Sequence, residues 1–99
     1  MIDLASVEGF EWDDGNARKN LGKHGVSQAE AEQVFAGEPQ LAEDVKHSHD
    51  ETRFQALGVS IEGRRLHVTF TLRGAGKKIR IISARDMNRK ERAIYEQET

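Results

Sequence analysis

Apolar residues recur at helical spacing in the first part of this chain and at strand spacing in the second. Ala31, Val34 and Phe35 repeat at i, i+3 and i+4, whereas Leu66, Val68, Phe70 and Leu72 alternate with His67, Thr69, Thr71 and Arg73. The first spacing lines one face of a helix and the second one face of a strand. Ahead of both, Val7, Phe10 and Trp12 predict a short strand over 7–12. Asp13 or Asp14 can cap a helix from about Asn16 to His24, with Gly25 suited to the left-handed residue that closes it. Ser27-Gln28-Ala29-Glu30 is a capping box, and Val26 and Ala31 sit where a hydrophobic staple forms. This second helix stops at Gly37-Glu38-Pro39.

Strand patterning then takes over. Gln40–Val45 is a short candidate, Lys46–Asp50 a polar loop and Thr52–Ile61 a partly alternating strand. Glu62-Gly63 turns the chain into Arg64–Arg73, and Gly74-Ala75-Gly76 turns it into Lys78–Ala84. Asn88 and Glu91 form a second capping box, opening a helix through Gln97. The order β-α-α-β-β-β-β-α predicts an α+β domain spanning 1–99, with an antiparallel sheet, two N-terminal helices and one C-terminal helix. The helices are expected mainly on one face, leaving a polar sheet face free to bind a ligand.

Composition narrows the class. With 99 residues, 36% hydrophobic and 32% charged, the chain fits one globular domain. No apolar run reaches membrane-spanning length, and Met1–Ser6 lacks the basic and apolar segments of a signal peptide. The absence of cysteine excludes disulfide and thiol chemistry and fits a cytoplasmic setting. Net charge is −2, but the two signs are segregated. Residues 1–62 carry five Lys/Arg against thirteen Asp/Glu, whereas residues 63–95 carry ten against two. Such a basic block suits a phosphate-rich ligand, although a solvated cationic face has the same composition.

Segregated arginines suggest a chemistry. RNA carries its own nucleophile, the ribose 2′-hydroxyl, so its cleavage needs proton carriers and cations for the phosphorane rather than a metal. A guanidinium fork suits the phosphorane, because it can pair with two phosphate oxygens. Arg73 and Arg85 lie at strand ends and are the first candidates. Arg73 can equally be a turn residue, and Arg85 can instead pair with Glu91. His24 or Lys19 could handle protons, while a histidine ending a helix can also serve the helix dipole. Arg53, Arg64 and Arg80 could hold the RNA backbone or form ion pairs. Trp12 could stack on a base or join the core. Tyr95 follows Glu91 by four residues, as a packing partner would. His47-Ser48-His49-Asp50 lacks the second pair of ligands that a metal site requires, so neither metal nor cofactor is expected. The competing function is a non-catalytic module whose basic half docks an acidic partner or nucleic acid. A helix-turn-helix DNA reader is disfavoured, because Gln28–Gln33 is acidic.

Phe10-Glu11-Trp12-Asp13, Asn20 and Lys23-His24-Gly25-Val26-Ser27, followed by Glu51, Arg53, Phe54, Gly58 and Ile81-Ile82-Ser83-Ala84-Arg85 with Glu91 and Tyr95, form an ordered set. That set, over about residues 10–96, resembles the BrnT-type toxins. The resemblance implies a RelE-like ribonuclease fold and a type II toxin–antitoxin module that arrests growth by cutting RNA. It implies a neutralising antitoxin of the BrnA type, DNA contact only through the toxin–antitoxin complex, and assembly as a dimer or heterotetramer. Members of that family often carry lysine at the position of Asn16; here Lys19 lies one turn further on.

Overall fold

The computed structural model describes residues 3–98. After a 3₁₀ turn at Leu4–Ser6 come β1 (Gly9–Glu11), α1 (Asp14–His24), and α2 (Gln28–Gln33), which runs into a 3₁₀ turn at Val34–Ala36. Then follow β2 (Gln40–Glu43), a 3₁₀ turn at Val45–His47, β3 (Arg53–Val59), β4 (Arg65–Arg73), β5 (Lys78–Asp86) and α3 (Arg89–Glu98). The helix caps agree with the sequence. Asp13 accepts the Asn16 amide, Gly25 closes α1 at φ 66°, and Ser27 accepts the Glu30 amide. Asn88 and Glu91 exchange both capping bonds, at 2.8 and 3.0 Å. At α2 the expected reciprocal bond is replaced: the Glu30 carboxylate accepts from Arg64 Nη1 at 2.9 Å.

The strands form one sheet in the order β1-β5-β4-β3-β2. β2 to β5 are an antiparallel meander, but β1 pairs parallel with β5 (Phe10 opposite Ile79), so the sheet is mixed rather than antiparallel as expected. Hairpin turns announce the antiparallel pairs. The β1–β5 pair joins strands almost seventy residues apart (Phe10, Ile79), across the helices, and leaves no turn signal.

Phe10, Phe35, Phe70 and Phe54 run through the core in ring contacts of 5.7, 5.0 and 5.5 Å. Around them Val26, Ala31, Val34, Ala56, Leu66, Val68, Ile79, Ile81 and Ala84 are buried. Gly58 is where β3 passes the turn after α2, and a Cβ there would lie 2.7 Å from Val34 Cγ1. β1 ends at Glu11, opposite Arg80, so the rest of β5 has a bare edge. α1 fills it. Asn16 Nδ2 donates to the Ile82 carbonyl at 2.6 Å; Asn20 donates to the Ala84 carbonyl and accepts its amide, both at 2.9 Å. One buried asparagine thus does for β5 what a neighbouring strand would.

α3 departs from the expected layering. It packs at one end of the sheet face opposite the core, where Gln40 Nε2 donates to the Tyr95 carbonyl at 2.9 Å and Glu91 reaches β5. The polar face is therefore open over part of its area only.

Candidate active site

Directly paired strand residues share a face, so the register maps the face away from the core. At the end under α3 the row is Leu57, His67, Arg85. Next come Gln55, Thr69, Ser83, and then Arg53, Thr71, Arg80 with Glu11 at the β1 edge. Arg73 and Lys78 end the grid. The face therefore carries Arg53, Arg73, Lys78, Arg80 and Arg85, and beyond the His67 row Arg65, which pairs with Glu96 of α3 at 2.8 Å.

A β-bulge makes this grouping possible. Phe70 lies opposite Ile81 and Thr69 opposite Ser83, so Ile82 has no partner on β4. Strict alternation from Ile79 and Ile81 would turn Ser83 and Arg85 into the core. The extra residue moves them onto the face of Arg80, and sends Ala84 inward instead. The carbonyl of Ile82 is the one that Asn16 takes. Asn16, where the resemblance leads one to expect lysine, thus lands at the bulge.

Arg85 is held. Its Nη1 and Nη2 donate to the two carboxylate oxygens of Glu91 at 2.7 and 2.9 Å. That pairing, helped by the Asn88 amide, holds the Glu91 carboxyl at about 2 against its usual 4.5, and raises Arg85 in turn. His67 lies opposite Arg85, with Nε2 3.7 Å from Glu91 Oε2, too long for a hydrogen bond. Only 5% of His67 is exposed, and its Nδ1 is buried without a partner. Burial and then the Arg85 charge push its pKa below the ordinary histidine value, so the ring is neutral near pH 7. Beside this trio a cleft of about 550 Å³ opens, lined by Gln55, Leu57, His67, Lys90, Glu91 and Ile94 among others. His67 lies in the candidate site, and the sequence did not single it out. In the sequence it is merely one polar position of an alternating strand, and its burial depends on α3 folding back.

The remaining candidates divide. Arg73 pairs with Glu51 at 3.2 Å on the exposed rim. Arg80 has only a distant Glu11 at 4.0 Å, and the Arg53 guanidinium has no partner among the described residues. Arg64 lies away from these cations. It donates to Asp86, Glu30 and the carbonyls of His24 and Gly25, so it locks the α1–α2 joint to the sheet. Its pKa is raised, chiefly by Asp86, whose own is lowered by the same bond. His24 acts on Asp86, a position opposite core residue Leu66, and so lies on the other face from Arg85. On α1, Ala17 and His24 flank the Asn16–Asn20 stripe on one side and Lys19 and Lys23 on the other. That leaves exposed Lys19 toward the open face. Trp12 donates its indole N–H to Glu32 at 2.9 Å and packs on the core. His47 sits against Asp44 at 3.0 Å, and no group of three or more potential metal ligands occurs among the described residues.

Residues 12–91 match the family described as the ribonuclease toxin BrnT of type II toxin–antitoxin systems. The chain belongs to the BrnT family of ribonuclease toxins. The fold is similar to the crystal structure of the Brucella abortus ribonuclease toxin BrnT, with a TM-score of 0.64 and 21% identity, over 84% of this chain and 100% of that one. No curated protein matches the chain. The BrnT match spans Trp12 to Glu91, and so takes in α1, the bulged β5, His67 and both members of the Arg85–Glu91 pair. No helix among the described residues is long and apolar enough to cross a membrane.

Proposed function

We propose that this BrnT-family chain is a metal-independent endoribonuclease, a single RelE-like domain acting in the cytoplasm, neutralised by a cognate antitoxin of the BrnA type. The observation that carries the reading is the sheet face, on which Arg53, Arg73, Lys78, Arg80 and Arg85 converge from three strands. Rigid strands place these cations well, as stabilising a phosphorane requires. In the reaction the 2′-oxygen forms a bond to phosphorus while the bond to the 5′-oxygen breaks. The products are a 2′,3′-cyclic phosphate and a 5′-hydroxyl, and a proton moves from the first oxygen to the second. Arg73 and Arg85 would exchange Glu51 and Glu91 for phosphate oxygens, and Arg53 and Arg80 would hold the backbone. Lys19 flanks the same face and is the better placed proton carrier of the two that the sequence suggests. His24, beside Asp86, is remote from the arginines of that face. Arg64 and Trp12 have roles within the fold that leave them little freedom for RNA.

The test is cleavage of RNA by purified protein in EDTA, with and without the protein encoded by the adjacent reading frame. Cleavage that persists in EDTA, stops with that partner, and disappears in a folded Arg85→Ala variant is the expected result. Salt-sensitive RNA binding without turnover would instead establish a binding module.

A further inference from the structure

Four Lys/Arg residues are half-buried: Arg53, Arg64, Arg80 and Arg85. Arg64 and Arg85 are each locked to carboxylates at 2.7 Å. Among the described residues Arg80 meets Glu11 only at 4.0 Å, and Arg53 meets no anion. A guanidinium that gives up water without gaining an anion is costly, so such a pair in the middle of a sheet marks a site kept for a ligand anion. The register joins the two. Arg53 and Arg80 both lie opposite Thr71, one on each neighbouring strand. Their Cα atoms are thus about 10 Å apart on one face, which lets two long side chains meet above the middle strand. Thr71 makes an inert floor: it is 1% exposed, and its hydroxyl is committed to the Thr52 carbonyl at 2.7 Å. Arg73 and Lys78 continue the row on one side, and Thr69 with Ser83 on the other.

Resting on the ribonuclease reading, we infer that Arg53 and Arg80 close over Thr71 on a single phosphate of the RNA chain, and that this is the phosphate that reacts. Two forks on one phosphate supply donors to its non-bridging oxygens without first breaking a strong internal ion pair. Glu11 holds Arg80 loosely in the free protein and is displaced when the phosphate arrives. As charge develops on that phosphate, Arg85 and Arg73 leave Glu91 and Glu51 and join it.

The experiment is a double-mutant cycle with Arg53→Gln, Arg80→Gln and the double variant, each checked for an unchanged thermal unfolding midpoint. Single-turnover cleavage is measured beside binding of a 2′-O-methyl RNA that cannot be cut. Each single variant is expected to slow cleavage about 100-fold, as loss of one phosphorane donor does, while binding weakens less than about tenfold. Because both forks serve one phosphate, the double variant should cut only a few-fold more slowly than either single one. Effects that multiply, or a single variant that cuts within threefold of the parent, overturn the shared site. A parent that binds but never cuts defeats the ribonuclease reading instead. The cycle in binding alone then decides the shared phosphate: losses that do not multiply uphold it, and losses that multiply sink it.

Discussion

His67, Arg85 and Glu91 show how one residue sets the terms for two others. Glu91 is held at about 2, below its ordinary 4.5, so the proton that the unfolded chain accepts is refused by the folded one. The stability this contributes is complete above about pH 4.5 and is lost as the pH falls toward 2, on the order of 2 kcal/mol. Glu91→Gln should therefore cost about that much at pH 7 and flatten the loss between pH 5 and 2.5 in urea unfolding. Parallel curves for parent and variant would refute the assignment. His67 works in the same direction at higher pH. Its folded pKa is lowered, so stability present above its unfolded value, about 6.5, falls as the pH drops below it. His67→Leu removes a buried nitrogen that lacks a partner, and should cost less than about 1 kcal/mol at pH 7 or stabilise the fold. A loss of 2 kcal/mol or more would show that Nδ1 is satisfied. The Arg85–Glu91 pair was legible in the sequence as one of two alternatives, because Glu91 sits at a fixed place in a capping box. Burial of His67 was not, since only tertiary structure supplies it.

At the scale of elements, the caps, turns and meander strands were legible because each rests on neighbours in sequence. What escaped was set by contacts across long separations. β1 lands parallel on β5, α3 folds onto the opposite face, and the bulge at Ile82 turns Arg85 outward. The first and last are linked, since β1 is too short to pair with all of β5 and α1 docks on the bulged remainder. Asn20→Ala would leave the Ala84 amide and carbonyl buried without partners, at a cost of about 3 kcal/mol. Asn16→Ala, at a half-buried site with one bond, should cost about 1 kcal/mol. Denaturant midpoints that fall equally for the two variants would argue against α1 completing the β5 edge. A separate contact tests how close β3 comes to the turn after α2. Gly58→Ala forces Val34 aside and should destabilise by about 1–3 kcal/mol.

For the whole molecule, a net charge of −2 predicts weak repulsion from RNA, whereas the arrangement of charge predicts attraction. Glu30 and Glu32 lie on α2, beside the core-facing side of the sheet, while Arg53, Arg73, Lys78, Arg80 and Arg85 share the opposite face. The sequence disclosed the imbalance between halves but not that strands from both halves bring cations together: Arg53 comes from the acidic half. If about four of these five cations neutralise single-strand phosphates, log K for RNA should fall against log salt with a slope of about −3. Glu32→Lys raises the net charge by two units on the far side and should leave that slope unchanged. Lys78→Gln changes the net charge less, yet should reduce the slope by about 0.7, because it removes one phosphate contact on the binding face. Were net charge the controlling quantity, Glu32→Lys would have the larger effect, so the order of these two variants in a salt titration separates the distributed field of the molecule from an RNA path across that face.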